Sequence, residues 1–445
     1  MKKLLLKSLI LLFPLMQGIA FASIDSVISD SQLAKGSLIA VSVKDLQYGN
    51  VLYEKNSNKL MLPASVLKLF TIKPSLAALG DSYEFVTEVY GDLNGNLYIK
   101  LSGNPNFTSD NLAALIAVAK EKSKNKNFKT IYIDDYVLDG CTWGAGWSWD
   151  NNGDDGIPQF GAYNIDKNVI PLNIYYDGKT QKVTAGTQST YKTNIVNLLE
   201  PASYSDINVV KRNGVVYLSG KVASNEKIKV PVDDIQDYFV CRLKAALNLA
   251  GVSYKSISFA RVPKEAELLA EHSQRIEPVI IDIFKKSDNF AAETVFKTAG
   301  GKYTNSTGSI EDAVKMFNNY YKKIGISPAE IAVVDASGLS RKNMLTADWT
   351  TKSLAKFSSL SDFEQFKRYM AQPGEGTLRT RLIDYKGLLR AKTGTLDGVS
   401  AIAGYITTQK GTNVAFCVYV QNFKQKASTA KLLENNIVKE IYENY

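Results

Sequence analysis

Polar and apolar residues along this chain follow three successive patterns. Near the start, Ser37-Leu38-Ile39-Ala40-Val41-Ser42-Val43 reads as a strand, Tyr48-Gly49-Asn50 as a turn, and Val51-Leu52-Tyr53 as the second arm of a hairpin. A polar loop, Asn56-Ser57-Asn58-Lys59, leads to Pro63-Ala64. Leu67, Leu69, Phe70 and Ile72 then open a buried helix that ends near Gly80. From residue 81 to residue 274 the pattern shortens. Asn94-Gly95-Asn96 sits between two apolar runs, and Arg212-Asn213-Gly214 between Val209-Val210 and Val215-Val216-Tyr217, which are hairpin signals. Thr130-Ile131-Tyr132-Ile133 is a further strand, and helices are predicted over 112–122 and 235–250, the second ended by Gly251.

Beyond residue 275 the period becomes helical. Helices are predicted over 278–286 and 290–298. A third starts at Ser309-Ile310-Glu311-Asp312, carries Ala313, Phe317, Tyr320 and Ile324 on one face, and stops at Gly325. Residues 388–406 and 414–420 read as antiparallel strands. A closing helix over 427–445 has Ala430, Leu433, Ile437 and Ile441 in its stripe. This order predicts an α+β fold, an α/β sandwich whose antiparallel sheet joins the first and last segments beside a helical cluster. Residues 23–80 and 275–445 would form one domain, with 81–274 inserted into it as a strand-rich module.

Composition changes this picture little. With 445 residues, 45% hydrophobic and 22% charged, the chain is an ordinary globular one with room for two or three domains. Residues 1–22 have the form of a secretory leader: Lys2, Lys3 and Lys7, an apolar run from Leu9 to Met16, and Ala20-Phe21-Ala22 before Ser23. Cleavage after Ala22 and export to the periplasm are expected. A membrane anchor is the alternative, against which stand the shortness of the run and Pro14 within it. The net charge of +9 is spread thinly, without arginine-rich runs, so nucleic-acid binding is not expected. At most a weak affinity for an anionic polymer or the membrane surface would follow. The three cysteines, with a single histidine (His272, read as structural), do not have metal-ligand spacing, and no metal or cofactor is called for. Cys417 lies in an apolar strand and reads as a buried thiol, which leaves Cys141 and Cys241 as the expected disulfide pair of an exported protein. Trp143, Trp147 and Trp149 cluster ahead of Asp150, Asp154 and Asp155. They read as a local aromatic core, or alternatively as a platform at a substrate cleft.

The candidate chemistry starts at Ser65-Val66-Leu67-Lys68. A serine and a lysine three apart on a helix share a face, and a lysine amine can serve as base for a serine hydroxyl without any histidine. The spacing alone is weak, because Ser-x-x-Lys occurs six times, starting at Ser65, Ser123, Ser189, Ser224, Ser353 and Ser428. Only Ser65 follows a proline-led loop into an apolar helix; Ser123 sits in a lysine-rich surface run and Ser428 reads as a helix N-cap. Two further motifs follow in order. Ser287-Asp288-Asn289 falls at a break between two predicted helices, and Lys392-Thr393-Gly394, followed by Thr395, opens an apolar strand. Ser109-Asp110-Asn111 repeats the second triplet but stands directly before an apolar run, where Ser109 reads as an N-cap.

Ser-x-x-Lys, Ser-Asp-Asn and Lys-Thr-Gly in this order resemble the motif set of the penicillin-recognising serine enzymes. More narrowly, the chain resembles the D-alanyl-D-alanine carboxypeptidase/endopeptidases of the penicillin-binding protein 4 type, peptidase family S13. That narrower match rests on the long stretch between Ser65 and Ser287, on Asp335-Ala336-Ser337-Gly338-Leu339-Ser340-Arg341, on Gly374-Glu375-Gly376-Thr377-Leu378-Arg379 and on Lys392-Thr393-Gly394-Thr395-Leu396-Asp397-Gly398-Val399. The resemblance implies a β-lactamase/transpeptidase-like domain that cleaves D-Ala–D-Ala in peptidoglycan stem peptides and is acylated by β-lactams. Ser65 would be the nucleophile and Lys68 its base. Ser287, hydrogen-bonded between Lys68 and Lys392, would relay a proton to the leaving amine. Asn289 would hold the substrate amide, Lys392 and Thr393 the terminal carboxylate. Gly394 completes the triplet, the N–H groups of Ser65 and Thr395 would form the oxyanion hole, and Arg341 would bind a free stem carboxylate. Asp397 stands where some relatives carry a neutral amide. Two other readings use the same motifs. A serine β-lactamase would need a Glu-x-x-x-Asn between Asn289 and Lys392, which is absent. A penicillin-sensing or wall-binding domain without turnover is the other, and the lack of a second membrane segment argues against a sensor.

Overall fold

The computed structural model describes residues 23–123 and 127–445; the leader expected over 1–22 lies outside them. One five-stranded antiparallel sheet joins the two ends of the chain. Its order is Leu389–Leu396, Val399–Thr407, Asn413–Gln421, Leu38–Asp45 and Val51–Lys55. Leu38 pairs with Gln421 and Asp45 with Val414, so the first and last segments meet as expected. The turn between the first two strands of that order is Asp397-Gly398, with Gly398 at φ +67°, a conformation glycine adopts without a steric penalty.

Both faces of this sheet are covered, which is why its strands read as unbroken apolar runs. Ala415, Cys417 and Tyr419 face a layer built from the helices Lys68–Leu79, Ile276–Lys285, Asn289–Thr304, Ile310–Lys323 and Ala347–Ser358. Val414, Phe416, Val418 and Val420 face the terminal helices Ile24–Ser29 and Ala427–Asn444. The helix Asn289–Thr304 is buried from Phe290 to Gly301 and has no polar stripe there, because that length is surrounded on all sides.

The stretch between the serine helix and Ile276 is strand-rich. A mixed five-stranded sheet runs in the order Ser253–Phe259, Asn127–Asp134, Leu97–Lys100, Glu84–Gly91, Glu267–Arg275, and two three-stranded sheets stand beside it. The helices Ser109–Lys122 and Ile235–Leu249 close a second apolar core.

Several expectations are corrected. Cys141, Cys241 and Cys417 are all free thiols. Cys141 is exposed in the loop after Asn127–Asp134, where its Sγ contacts the Trp143 carbonyl, whereas Cys241 lies on the helix Ile235–Leu249 against Thr190. Elimination by burial selected two thiols that the fold holds on different elements. Ser109 does not cap its helix: Thr108 does, accepting from Asn111 N, while Ser109 Oγ bonds Asp166. Ser428 lies inside its helix, behind Lys426 at the cap position. Ser309 is an N-cap as expected, accepting from Asp312 N at 3.1 Å. The helices Ala347–Ser358 and Phe363–Tyr369 were not predicted: the first is rich in Thr and Ser, which favour turns and caps, and the second is seven residues long, too short to show an apolar period.

Candidate active site

Ser65 occupies a single 3₁₀ turn, Ala64–Leu67, that runs directly into the helix Lys68–Leu79. Three residues along such a turn bring the chain back over itself, and Lys68 Nζ lies 2.8 Å from Ser65 Oγ. The serine turn leans on the edge strand Leu389–Leu396. A Cβ on Gly394 would lie 2.8 Å from Ser65 N and 3.0 Å from Pro63 O, so the third position of Lys-Thr-Gly must lack a side chain for the strand to pass.

Lys68 is fully buried, and its Nζ touches three oxygens: Ser65 Oγ at 2.8 Å, Asn289 Oδ1 at 2.6 Å and Ser337 O at 2.8 Å. Two of these, an amide oxygen and a backbone carbonyl, can only accept. A neutral amine has two N–H groups and one lone pair. With both N–H groups given to Asn289 and Ser337, the lone pair faces the Ser65 hydroxyl, which then donates to it. Burial pulls the Lys68 amine down to about 8, against the opposing pull of Glu293, Asp335 and Asp288.

The break between Ile276–Lys285 and Asn289–Thr304 is sharp: Ser287 adopts φ +62°. Asp288 caps the second helix by accepting from Ala291 N at 2.8 Å, and Lys167 of the strand-rich stretch pairs with it at 2.9 Å. Ser287 Oγ accepts from Lys392 Nζ at 2.8 Å. The expectation that it bridges both lysines meets a different geometry on the other side, where Lys68 bonds Asn289 instead. The Asn289 amide is engaged at both ends, its Nδ2 donating to Gly156 O at 2.9 Å.

Lys392 is fully buried and also donates to Thr393 O at 2.8 Å. Its amine is held well below the ordinary lysine range, first by burial and then by the charge of Lys68. Thr393 Oγ1 donates to Thr377 Oγ1 at 2.8 Å. Ser65, Ser287, Asn289, Thr393, Gly394 and Thr395 line one open cleft of about 680 Å³. Arg341 is exposed beyond the end of the edge strand, where its Nη2 donates to Asp397 O at 2.7 Å.

The strand-rich stretch supplies the opposite wall, including Gly156, Pro158, Lys167 and Lys229. Of the acids in 150–163, Asp155 reaches the cleft. Trp143 and Trp147 belong to a local aromatic core, Trp149 is largely exposed and sits edge-on to Trp143, and none of the three lines the cleft. Trp147 packs against Phe160 and Trp143, with Ile157 and Phe290 in the same cluster, and its Nε1 donates to Asp335 Oδ2 at 2.9 Å. His272 sits edge-on to Phe107, and burial lowers its pKa. Sequence reasoning missed Thr377, Glu293 and the carbonyl of Ser337 as members of the site. Glu293 carried one usable signal, since it stands four residues after Asn289 and so on the same helix face.

The family described as D-Ala-D-Ala carboxypeptidase 3 (S13) matches residues 20–440. The D-alanyl-D-alanine carboxypeptidase DacB of Haemophilus influenzae is 25% identical over 456 residues, covering 95% of each chain. The D-alanyl-D-alanine carboxypeptidase of Actinomadura sp. is 25% identical over 440 residues, covering 89% of this chain and 79% of that relative. Among solved structures, penicillin-binding protein 4 of H. influenzae superposes with a TM-score of 0.84 at 24% identity, covering 94% of this chain and 99% of that one. A predatory peptidoglycan endopeptidase of Bdellovibrio bacteriovorus shares the fold at a TM-score of 0.50 and 13% identity, over 91% and 92% of the two chains.

Proposed function

The chain belongs to the D-Ala-D-Ala carboxypeptidase 3 (S13) family, and from that premise we propose how its residues carry out the reaction. It is a serine-type D-Ala-D-Ala carboxypeptidase. The observation that carries the mechanism is the buried Lys68 amine, 2.8 Å from Ser65 Oγ and within 2.8 Å of two oxygens that can only accept, so that in its neutral form both N–H groups are engaged and the lone pair is left for Ser65.

Ser65 Oγ attacks the carbonyl carbon of the D-Ala–D-Ala bond as Lys68 takes the hydroxyl proton. The N–H groups of Ser65 and Thr395 receive the oxyanion; one donor of this kind contributes roughly 3–4 kcal/mol of barrier lowering. Lys392, Thr393 and Thr377 receive the terminal carboxylate. An arriving carboxylate raises the proton affinity of Lys392, and the resulting cation keeps Lys68 neutral. Ser287 passes a proton to the leaving amine and is resupplied by the Lys392 cation it bonds, releasing D-alanine and leaving an ester on Ser65 with the hydroxyl proton on Lys68. Water then cleaves the ester, its proton returning through Ser287 to Lys392 and the Lys68 proton to Ser65 Oγ. Asn289 holds the substrate amide and Arg341 a free carboxylate of the stem.

The same geometry suits acylation by a β-lactam, whose carboxylate and strained amide would occupy the same positions; a structure of the H. influenzae relative holds such a compound. Peptidoglycan stem peptides are the proposed substrates. Export to the periplasm is the reading of residues 1–22; no helix among the described residues is long and apolar enough to cross a membrane. We divide the chain into residues 23–80 with 275–445, and an insertion at 81–274, because the first set shares one sheet and one helical layer.

Incubation with a muropeptide pentapeptide and with intact cross-linked peptidoglycan, with products separated by mass, tests the reading. Catalytic release of D-alanine supports it. A labelled but non-turning-over protein would be a penicillin-binding domain instead, and rapid β-lactam hydrolysis without D-alanine release a β-lactamase.

A further inference from the structure

One buried acid next to the site takes no part in the steps above. Glu293 lies one turn beyond Asn289 on the same helix and is fully buried. Its Oε1 accepts from Ser337 N at 2.8 Å and from Ala336 N at 3.1 Å, and its Oε2 from Ala336 N at 3.0 Å. The backbone it grips adjoins the group that touches the base: Ala336 O, in the gripped 336–337 peptide, accepts from Thr71 Oγ1 at 2.8 Å, and Ser337 O, in the next peptide unit, accepts from Lys68 Nζ. Asp335, in the same loop, has other work. Its oxygens accept from Gly338 N, Ser340 N, Asn343 Nδ2 and Trp147 Nε1.

We propose that Glu293 is a positioning residue for the hydrolysis, acting through Lys68: its carboxyl group clamps the 336–337 backbone so that the Ser337 carbonyl turns the Lys68 lone pair onto Ser65. The proposal rests on the acyl-enzyme reading above. Burying a carboxyl group is costly, and an apolar residue would fill the same helix position at less cost. The carboxyl group is there for what it holds. Burial raises Glu293 to about 8, with Asp335 adding to the rise and the Ser337 hydroxyl and the two N–H groups opposing it. The charged groups of the cluster are Asp335 in the 335–343 loop, which acts on Glu293, Lys68 on the serine helix, on which Glu293, Asp335 and Asp288 act, and Lys392, which Lys68 in turn holds down. Lys297, one turn further on, is turned away to Asp139. A charged Glu293 raises the proton affinity of Lys68. As Glu293 takes up a proton this pull relaxes, so the acid also sets the pH at which the base becomes available.

Charge and reach are separable by two substitutions. Glu293→Gln keeps the shape and removes the charge. The acid limb of β-lactam acylation against pH is expected to move to lower pH, by about half a unit. Glu293→Asp keeps the charge and withdraws it by one methylene. Acylation is expected to slow about tenfold or more, with the limb in place. An unmoved limb in the glutamine variant, or an unchanged rate in the aspartate variant, overturns the proposal. If the glutamine variant does not fold, the aspartate variant alone decides. The reading beneath is judged separately on the unaltered protein: failure to label at Ser65 sinks the acyl-enzyme mechanism itself, whereas normal labelling with two silent variants sinks only the role of Glu293.

Discussion

The backbone of Gly338 passes so close to Ala64 that a methyl group on Gly338 would lie 1.9 Å from the Ala64 carbonyl oxygen. Gly338 has φ +84° and Ala64, directly before the nucleophile, has φ +45°. Two left-handed residues from distant parts of the chain are thus pressed together to seat the serine turn. Gly338→Ala is expected to lower stability by about 1–3 kcal/mol from the backbone conformation alone, and to displace Ser65 besides. Thermal unfolding and β-lactam labelling measured together check this; full labelling at unchanged stability would show that the contact is slack.

Ser65→Ala removes the hydroxyl 2.8 Å from the Lys68 amine. Covalent β-lactam labelling and D-alanine release should both disappear while the fold persists, because among the described residues Ser65 Oγ bonds Lys68 alone. Mass spectrometry of the treated variant is the measurement, and a residual adduct would move the nucleophile elsewhere.

The acylation rate should climb with pH through about 8, because Lys68 acts only when neutral and its amine titrates there. The sign for stability follows from the same shift. A lysine whose proton affinity is lower folded than unfolded destabilises the fold at pH values below about 8, and that cost is relieved as pH rises toward the unfolded value. Lys68→Met should therefore abolish acylation yet raise the unfolding temperature at neutral pH. A lower unfolding temperature would mean that the three hydrogen bonds of the amine outweigh its burial.

Arg341→Ala should weaken hydrolysis of a full stem peptide by about tenfold while leaving a minimal acyl-D-Ala-D-Ala substrate nearly untouched, as a single charge-assisted bond to a remote carboxylate implies. Steady-state kinetics on both substrates is the check. Equal losses would mean that its bond to Asp397 O is its whole role.

Thiol titration tests the absence of a disulfide. Cys141, exposed, should react with a thiol reagent in the native protein, and Cys417, held fully protonated by burial, only after unfolding. Reductant should leave the unfolding temperature unchanged. Fewer than three titratable thiols in denaturant would restore the crosslink.

Much of the site was legible in residues alone. Ser65, Lys68, Ser287, Lys392 and Gly394 stand in short motifs whose backbone setting is local: a proline-led loop entering a helix, a break between helices, the start of a strand. Ser109 and Ser428 show the same locality at its limit, since a cap is displaced by a single residue and the apolar period does not say which.

What the amino-acid order determined unaided was the strands and helices that frame the site, their sequence along the chain and the three motifs, because each depends on periodicity and on steric preferences of neighbouring residues. Tertiary structure alone decided which oxygen meets which proton. Asn289 rather than Ser287 lies against Lys68, Glu293 grips the peptide behind it, and Cys141 and Cys241 stay apart. Those partnerships arise where burial strips away water and leaves each polar group only the neighbours that packing brings within reach.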